Sequence, residues 1–201
     1  HFGTGIVDSP NDFGFNGGRP SHPELLEWLA GMFQADGYRI KDLHRLIVTS
    51  RTYRQAGYLP VDWEKSSSEN DPREVDAGNR LLWRMTPRRL EAEAIRDAML
   101  SVAGKLNSEM GGPAFEDVSI VSNNGTTYYE PIDVDGPQFF RRTVYRLNPR
   151  GQRSALLDTF DCPDPASAAP RRNVTTTPLQ ALSLLNNSFV LRMATYFAER
   201  V

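Results

Sequence analysis

Apolar residues recur every three or four positions along two early segments of the chain, a spacing that predicts amphipathic helices. In the first segment, Ser21 and Glu24 match a capping box, in which the two side chains satisfy free backbone N–H groups. The apolar spacing continues to Asp36 and Gly37, which are expected to end the helix. The second predicted helix covers residues 41–50 and is expected to bury Leu43, Leu46 and Ile47.

A longer amphipathic pattern lies between Thr86 and Gly104. Thr86 is predicted to be the N-cap and Pro87 the first helical residue, because proline suits a position whose N–H has no helical partner. The expected buried stripe consists of six apolar residues: Leu90, Ala94, Ile95, Ala98, Met99 and Val102.

Two further helices are predicted near the end of the sequence. Thr177 and Gln180 form a second capping box, and apolar spacing continues through Leu185. Asn186–Asn187 interrupts the pattern. Ser188 is then predicted to cap a last helix that runs to residue 201.

The middle of the chain has the pattern of β-strands. Asn124–Gly125 separates residues 118–121 from residues 126–129, and Asn-Gly between such segments favours the tight turn of a β-hairpin. Residues 139–147 are rich in β-branched and aromatic side chains and predict a third strand. Together these strands would form a β-rich insertion at residues 115–147.

The combined patterns predict a mainly α fold, with a helical, bundle-like body and a small antiparallel β insertion. One domain is expected to span residues 1–201, and the polar residues 59–77 are expected to form an exposed excursion. Because the sequence begins at His1 rather than at a methionine, we expect it to be the C-terminal part of a longer polypeptide.

Charge and cysteine content narrow the classes of function. The 23 Lys and Arg and 25 Asp and Glu leave a net charge of −2, which gives no general attraction to nucleic acid or to anionic membranes. No apolar run is long enough to predict a membrane-spanning helix. Cys162 is the single cysteine, so we expect neither an internal disulfide nor a cysteine-based metal site.

Five stretches carry the most distinctive motifs, among them HFGTG, MGGPAF and TTTPLQALSLLNN; they are residues 1–30, 42–55, 79–100, 110–115 and 159–190. In this order, and over nearly the whole chain, they resemble the planctomycete domain of unknown function fifteen fifty-three, also called the PSD-one domain. The resemblance implies a domain that ends a long exported protein, after a cytochrome-c-like haem region and a second uncharacterised domain.

The same resemblance implies an extracytoplasmic location, in the periplasm or cell envelope, and upstream domains of the same polypeptide as partners. It supplies no catalytic residues. Because the chain lacks a Cys-x-x-Cys-His motif, we expect no cofactor within it, and any haem would belong to the upstream region.

The glycine-rich residues 1–20 and the following turn contain Asp12 and His22, which could contact a ligand. The alternative is that aspartate and asparagine side chains in this loop bond their own backbone and shape turns. The spacing matches no established metal-binding motif, so no metal is predicted.

Two residues are candidates for acid–base catalysis. His44 is one, because histidine as a residue type can take up and release a proton near neutral pH; its alternative is a buried histidine bonded to a backbone carbonyl. Glu93 could be a buried catalytic carboxylate. Its alternative is an ion-pair ladder along one helix, with Arg89 four residues before it and Arg96 three residues after it.

Arg171, Arg172 and Asn173 precede the second capping box and form the predicted anion site. Guanidinium groups bind carboxylate, sulfate or phosphate through paired hydrogen bonds, and a helix N-terminus adds free N–H groups. The alternative is that these arginines tie the loop to Asp161 or Asp164. Such a site would suit an anionic polysaccharide.

Two classes of function remain open on the sequence. The chain could be a module that binds or positions a glycan or a partner domain. It could instead complete the active site of a carbohydrate oxidoreductase or hydrolase, coupled to an upstream haem domain.

Overall fold

A computed structural model describes residues 1–58 and 71–201 of the chain. The described residues form two compact units, His1–Arg88 and Arg89–Val201. Most of the predicted excursion at residues 59–77 lies outside the described residues. Its described end contains a short helix, Pro72–Val75.

The first unit contains α1 (Pro23–Ala35), α2 (Ile40–Thr49) and the four-residue α3 (Pro72–Val75). The positions of α1 and α2 confirm the two early helical patterns. The predicted cap is wrong, because His22 occupies the N-cap position and the Ser21 hydroxyl contacts His22 Nδ1 at 2.9 Å. A hydroxyl engaged by the neighbouring imidazole does not cap the helix.

Neither α1 nor α2 contains a fully buried residue. The prediction that Leu43, Leu46 and Ile47 are buried is therefore wrong as stated. Leu43 and Ile47 are half-buried, whereas 39% of Leu46 is exposed. The amphipathic spacing is present in α2, but the described residues of the first unit do not cover its apolar face completely.

The second unit begins with α4 (Ala92–Val102), which starts five residues later than Pro87. Thr86 is not its N-cap, because Asn79 Nδ2 donates to the Thr86 hydroxyl at 2.8 Å and Glu91 takes the N-cap position. Residues 87–90 therefore precede the helix, and 58% of Leu90 is exposed.

The buried face of α4 consists of Ala92, Arg96 and Leu100. Ile95 and Met99 from the predicted stripe are half-buried and pack against this core, but Val102 is 54% exposed. The buried face of α4 is thus rotated relative to the predicted stripe. It includes Arg96, although arginine is a residue type usually found at the surface.

The predicted hairpin is confirmed by β1 (Val118–Asn123) and β2 (Thr126–Pro131), which pair antiparallel. Asn124 and Gly125 form the turn with φ angles of 49° and 78°, a left-handed conformation that asparagine and glycine tolerate. Each strand extends two residues beyond its predicted end.

The predicted third strand at residues 139–147 is wrong, and the described sheet has two strands. Two 3-10 turns, Pro137–Phe139 and Thr143–Tyr145, occupy this region instead. Arg96 donates to the carbonyls of Phe139 and Arg141, and Asp97 accepts from the backbone N–H of Thr143. Because side chains of α4 satisfy these backbone groups, no neighbouring strand is needed.

The second unit ends with α5 (Ala155–Thr159), α6 (Pro178–Asn186) and α7 (Ser188–Arg200). The start of α6 confirms the second capping box, since Gln180 Oε1 accepts from the Thr177 backbone N–H at 3.2 Å. Ser188 is not the cap of α7. Asn187 is, because its side-chain oxygen accepts from the backbone N–H groups of Phe189 and Val190.

The core of the second unit lies where α4 packs against α5 and α7. One buried cluster contains Ala92, Leu156, Leu157 and Phe160, and another contains Leu100, Ala103, Phe140 and Met193. Phe189 packs against both. The described residues are 38% helical and 8% strand, so the fold is a mixture of helices and a small hairpin rather than a clear helical bundle.

Candidate functional site

A pocket of about 300 Å³ lies within the second unit. Its walls come from α4, the end of β2, the first 3-10 turn and the starts of α5 and α7. We call it the arginine pocket, because three arginines line it: Arg96, Arg146 and Arg192. Its volume is at the lower end of the range of small-molecule sites, about 300–1,000 Å³.

The guanidinium group of Arg96 has both hydrogen-bond and aromatic partners. Its guanidinium donates to the carbonyl oxygen of Phe139 at 2.7 Å and to that of Arg141 at 3.1 Å. The same group lies 5.2 Å from the ring centre of Phe115 and 5.1 Å from that of Phe189. These contacts fix Arg96 as a rigid, positively charged wall of the pocket.

Arg146 reaches the pocket from the second 3-10 region and is the most deeply placed charge, with only 4% of its side chain exposed. Its Nε donates to Asp117 Oδ2 at 2.7 Å. Within residues 1–58 and 71–201, neither terminal nitrogen of Arg146 has a hydrogen-bond partner. The other carboxylate oxygen, Asp117 Oδ1, is buried and also has no partner in the described residues.

Gln152 supplies another unsatisfied acceptor. Its Nε2 donates to the carbonyl of Arg153 at 2.6 Å, whereas its buried Oε1 has no partner among the described residues. A buried oxygen without a donor is unfavourable by about 1–3 kcal/mol, so a ligand that donates a hydrogen bond would relieve this cost. The apolar part of the wall consists largely of phenylalanine rings: Phe115, Phe139, Phe140 and Phe189.

Arg192 on α7 lies toward the exposed side of the pocket and is already paired. It contacts Asp133 at 2.5 Å and Asp135 at 3.7 Å, and Tyr196 donates to Asp135 at 2.7 Å. The hydrogen bond from Arg192 lowers the pKa of Asp133, and the same bond raises the pKa of Arg192. This edge of the pocket therefore has one guanidinium group and two carboxylates, so it is not positively charged.

The deeper part of the pocket is more strongly positive. Burial lowers the pKa of Arg96 to about 10, the carboxylates of Asp97 and Asp117 oppose this, and the charge of Arg146 adds to the lowering. Arg96 remains protonated at neutral pH. Two buried guanidinium groups thus repel each other across a space that a negatively charged group could occupy.

Two of the predicted site residues, Glu93 and Arg172, meet elsewhere in the second unit. Arg172 donates to both carboxylate oxygens of Glu93, at 2.6 and 2.9 Å, and Cys162 Sγ lies 3.8 Å from the same carboxylate. The bond from Arg172 lowers the pKa of Glu93, whereas burial followed by the charge of Glu93 raises that of Cys162. The pair lies outside the arginine pocket.

The predicted ion-pair ladder on this helix is wrong. Arg89 lies before α4 begins and donates to the carbonyl of Thr175 and, at 2.7 Å, to Gln180 Oε1. Arg96 points into the core, so neither predicted partner reaches Glu93. The cause is the late start of α4, which removes Arg89 from the helix.

Arg171 and Asn173 are exposed, and in the described chain Arg171 makes no ion pair. The predicted alternative, loop arginines bound to Asp161 or Asp164, is also wrong. Asp161 accepts from the backbone N–H and hydroxyl of Thr175, and Asp164 accepts from the backbone N–H of Ala166. These carboxylates shape the loop and are not paired with Arg171 or Arg172.

His44, in the first unit, is exposed and its Nδ1 lies 2.7 Å from Nε2 of His1. The predicted alternative, a buried histidine bonded to a backbone carbonyl, is therefore wrong. The two imidazole rings meet edge to face at 4.9 Å between centres, and Tyr53 lies next to His1 at 6.1 Å. One imidazole must be the donor and the other the acceptor.

Asp12 and His22 also lie in the first unit. Asp12 Oδ1 accepts from the backbone N–H of Gly14 at 3.0 Å, which is the turn-shaping role foreseen as the alternative to ligand binding. His22 is half-buried and contacts Ser21. Neither residue lines the arginine pocket, and their proposed contact with a ligand stays a prediction.

Sequence reasoning did not identify the residues of the arginine pocket. Arg96, Asp117, Arg146, Gln152 and Arg192 are spread over almost a hundred positions and share no motif. The sequence contains one local indication of a buried charge, because Arg96 directly follows Ile95 within a segment of regularly spaced apolar residues. An arginine within such a segment lies either on the exposed face of the helix or in the core, where hydrogen-bond partners must satisfy its charge.

Within the described residues, no helix has the length and apolar character needed to cross a membrane. A family model, PSD1, described as a protein of unknown function (DUF1553), matches residues 1–201. No curated protein and no solved structure matches the chain.

Proposed function

Since the chain belongs to the PSD1 family of proteins of unknown function, a membership that assigns no activity, we propose that its second unit binds a glycan in the arginine pocket. The chain would act as a binding module that positions a sugar for other parts of a longer protein. The two observations that support binding are the polarity of the pocket and its size.

The observation that carries the proposal joins the two: four phenylalanines and two residues with unsatisfied buried acceptors, Asp117 and Gln152, line the same small space. Asp117 Oδ1 and Gln152 Oε1 both lack a donor within the described part of the chain. A sugar ring has apolar C–H faces that pack on aromatic rings and hydroxyl groups that donate hydrogen bonds. A purely apolar ligand would leave both oxygens unsatisfied.

Binding rather than glycoside cleavage fits the carboxylates of this unit. Cleavage requires a carboxylic acid that keeps its proton near neutral pH. Asp117 is paired with Arg146, and hydrogen bonds from arginines lower the pKa values of Asp133 and Glu93. A lowered pKa disfavours the protonated form, so neither Asp133 nor Glu93 suits the role of the acid that protonates the leaving oxygen.

The setting of the module is part of the same proposal. We expect an extracytoplasmic protein in which this chain follows a haem-bearing region, as the family resemblance implies. Fractionation of cells that express the full-length protein would test the location. Recovery in the cytoplasm would contradict it without affecting the binding proposal.

The test of binding is a calorimetric titration of the full chain with neutral, uronic and sulfated oligosaccharides. Ala155 is exposed and lines the pocket, so Ala155→Trp should fill the space and weaken binding by about tenfold or more. Ala181 on α6 is also exposed but does not line the pocket, and Ala181→Trp serves as the matched control. Equal affinities for the two variants would contradict the proposed site.

A further inference from the structure

We propose that the arginine pocket selects sugars that carry an oxyanion, either the carboxylate of a uronic acid or a sulfate ester, and that Arg146 recognises that group. This inference rests on the proposed glycan-binding function and specifies its ligand class. Four features of the pocket lead to it, and each concerns a different side chain.

The first feature is the state of Arg146. Its side chain is 4% exposed and its Nε is bound to Asp117, yet its two terminal nitrogens have no partner in the described ranges. These two nitrogens are not among the fully buried atoms that lack a partner, so they keep contact with solvent and are open to a ligand. The two terminal N–H groups form a planar fork, which matches the paired oxygens of a carboxylate or sulfate.

The second feature is the loose ion pairing of Arg96, the other buried guanidinium in the pocket. Arg96 donates to neutral carbonyl oxygens, and its nearest carboxylate oxygen, on Asp97, lies 3.9 Å away. Asp117 is therefore the only carboxylate in direct hydrogen-bond contact with either buried guanidinium among the residues described. An oxyanion bound by the terminal nitrogens of Arg146 would be attracted to both guanidinium groups in a space where water screens the charges poorly.

The third feature is that the terminal nitrogens of Arg192 and Arg172 are already bound to carboxylates, although the buried Nε of Arg192 has no hydrogen-bond partner in the described residues. Arg192 is paired with Asp133 and Asp135, and Arg172 is paired with Glu93. A ligand anion at either place would compete with a carboxylate that is already bound. Arg146 is different, because its bond to Asp117 uses Nε and leaves both terminal nitrogens available.

The fourth feature argues against inorganic sulfate as the ligand. Asp117 Oδ1 and Gln152 Oε1 accept hydrogen bonds, but sulfate has none to donate at neutral pH. A sugar acid or sulfated sugar supplies both parts, with an oxyanion for Arg146 and hydroxyl donors for the two oxygens. The pocket thus combines one anion position with two hydroxyl positions.

Calorimetry on the full chain tests the selection with four matched probes: galacturonate trimer, its methyl ester, galactotriose and 6-O-sulfated galactotriose. The ester is the sharpest comparison, because it keeps the sugar and removes the charge. We expect the trimer with free carboxylates to bind about tenfold or more tightly than its ester. The sulfated probe distinguishes the two sources of the oxyanion.

Variants of Arg146 assign the selection to that residue. Arg146→Gln should abolish the preference for acid over ester, and Arg146→Lys should keep part of it, since lysine retains charge but not the fork. The exposed Arg45→Gln, in the first unit, is the control and should keep the full preference. Binding of the methyl ester by Arg146→Gln also reports that the variant is folded.

The outcomes separate this inference from the proposed function. If acid, ester and neutral trimer bind equally and Ala155→Trp weakens all of them, the pocket binds glycans but the oxyanion inference is wrong. If none of the probes binds, both proposals fail. If Arg146→Gln does not fold, the affinities of the unaltered chain for the acid and for its ester still show whether the pocket prefers a free carboxylate.

Discussion

The second unit contains two pairs of arginines that differ in position and in what surrounds them. Arg171 and Arg172 are adjacent in sequence and lie on an exposed loop, where Glu93 satisfies Arg172. Arg96 and Arg146 lie fifty positions apart, and each residue is only 8% exposed. Two adjacent arginines are easily recognised in a sequence as a candidate anion site. In the folded chain, however, the donors that remain available belong to Arg146, which is buried and has no arginine beside it in the sequence.

The largest effect expected from this comparison is on stability. Arg96→Ala leaves the carbonyls of Phe139 and Arg141 without their donor and opens a gap beside Phe115 and Phe189. We expect the free energy of unfolding, measured with urea, to fall by about 3 kcal/mol.

Arg171→Ala is the matched control for that measurement, because Arg171 is exposed. Its effect should remain within about 0.5 kcal/mol. If Arg96→Ala is as mild as Arg171→Ala, the distinction between a buried and an exposed arginine pair does not hold.

A smaller effect is expected at the exposed pair. Glu93→Gln removes the carboxylate bound by Arg172, and partly exposed ion pairs contribute about 0.2–1 kcal/mol. We expect a loss of that size at pH 7. A loss as large as that of Arg96→Ala would show that the Glu93–Arg172 pair, not the pocket, is the critical charge site.

The pH dependence of this pair has a definite sign. Because the pKa of Glu93 is lowered in the folded chain, its contribution is fully present above the ordinary value of 4.5 and is lost as pH falls through the folded-state pKa. The difference between the unaltered chain and Glu93→Gln should therefore shrink in urea titrations below pH 4.5. A difference that grows in acid would contradict the assignment.

Elements governed by local chemistry could be predicted from the sequence. Asn124 and Gly125 tolerate the left-handed turn of the hairpin, and Gln180 bonds the Thr177 N–H three residues earlier. In both cases the deciding contact lies within a few residues. The two early helices also follow from spacing alone, since their positions do not depend on distant partners.

Elements governed by distant partners could not be predicted. The Thr86 hydroxyl accepts a hydrogen bond from Asn79 Nδ2 and does not cap a helix. The helix α4 begins at Ala92 instead. Arg96 and Asp97 bond the backbone near residues 139–143, which forms turns in place of the expected strand. The pocket depends on the same kind of contact, because its charged residues meet only after folding.

Side-chain NMR of the arginine Nε–H groups during a titration with galacturonate trimer tests the central claim most directly. The account predicts that the resonance of Arg146 shifts and saturates at the affinity measured by calorimetry, while those of Arg171 and Arg172 do not change. Saturating shifts confined to Arg171 and Arg172, with Arg146 unchanged, would contradict it.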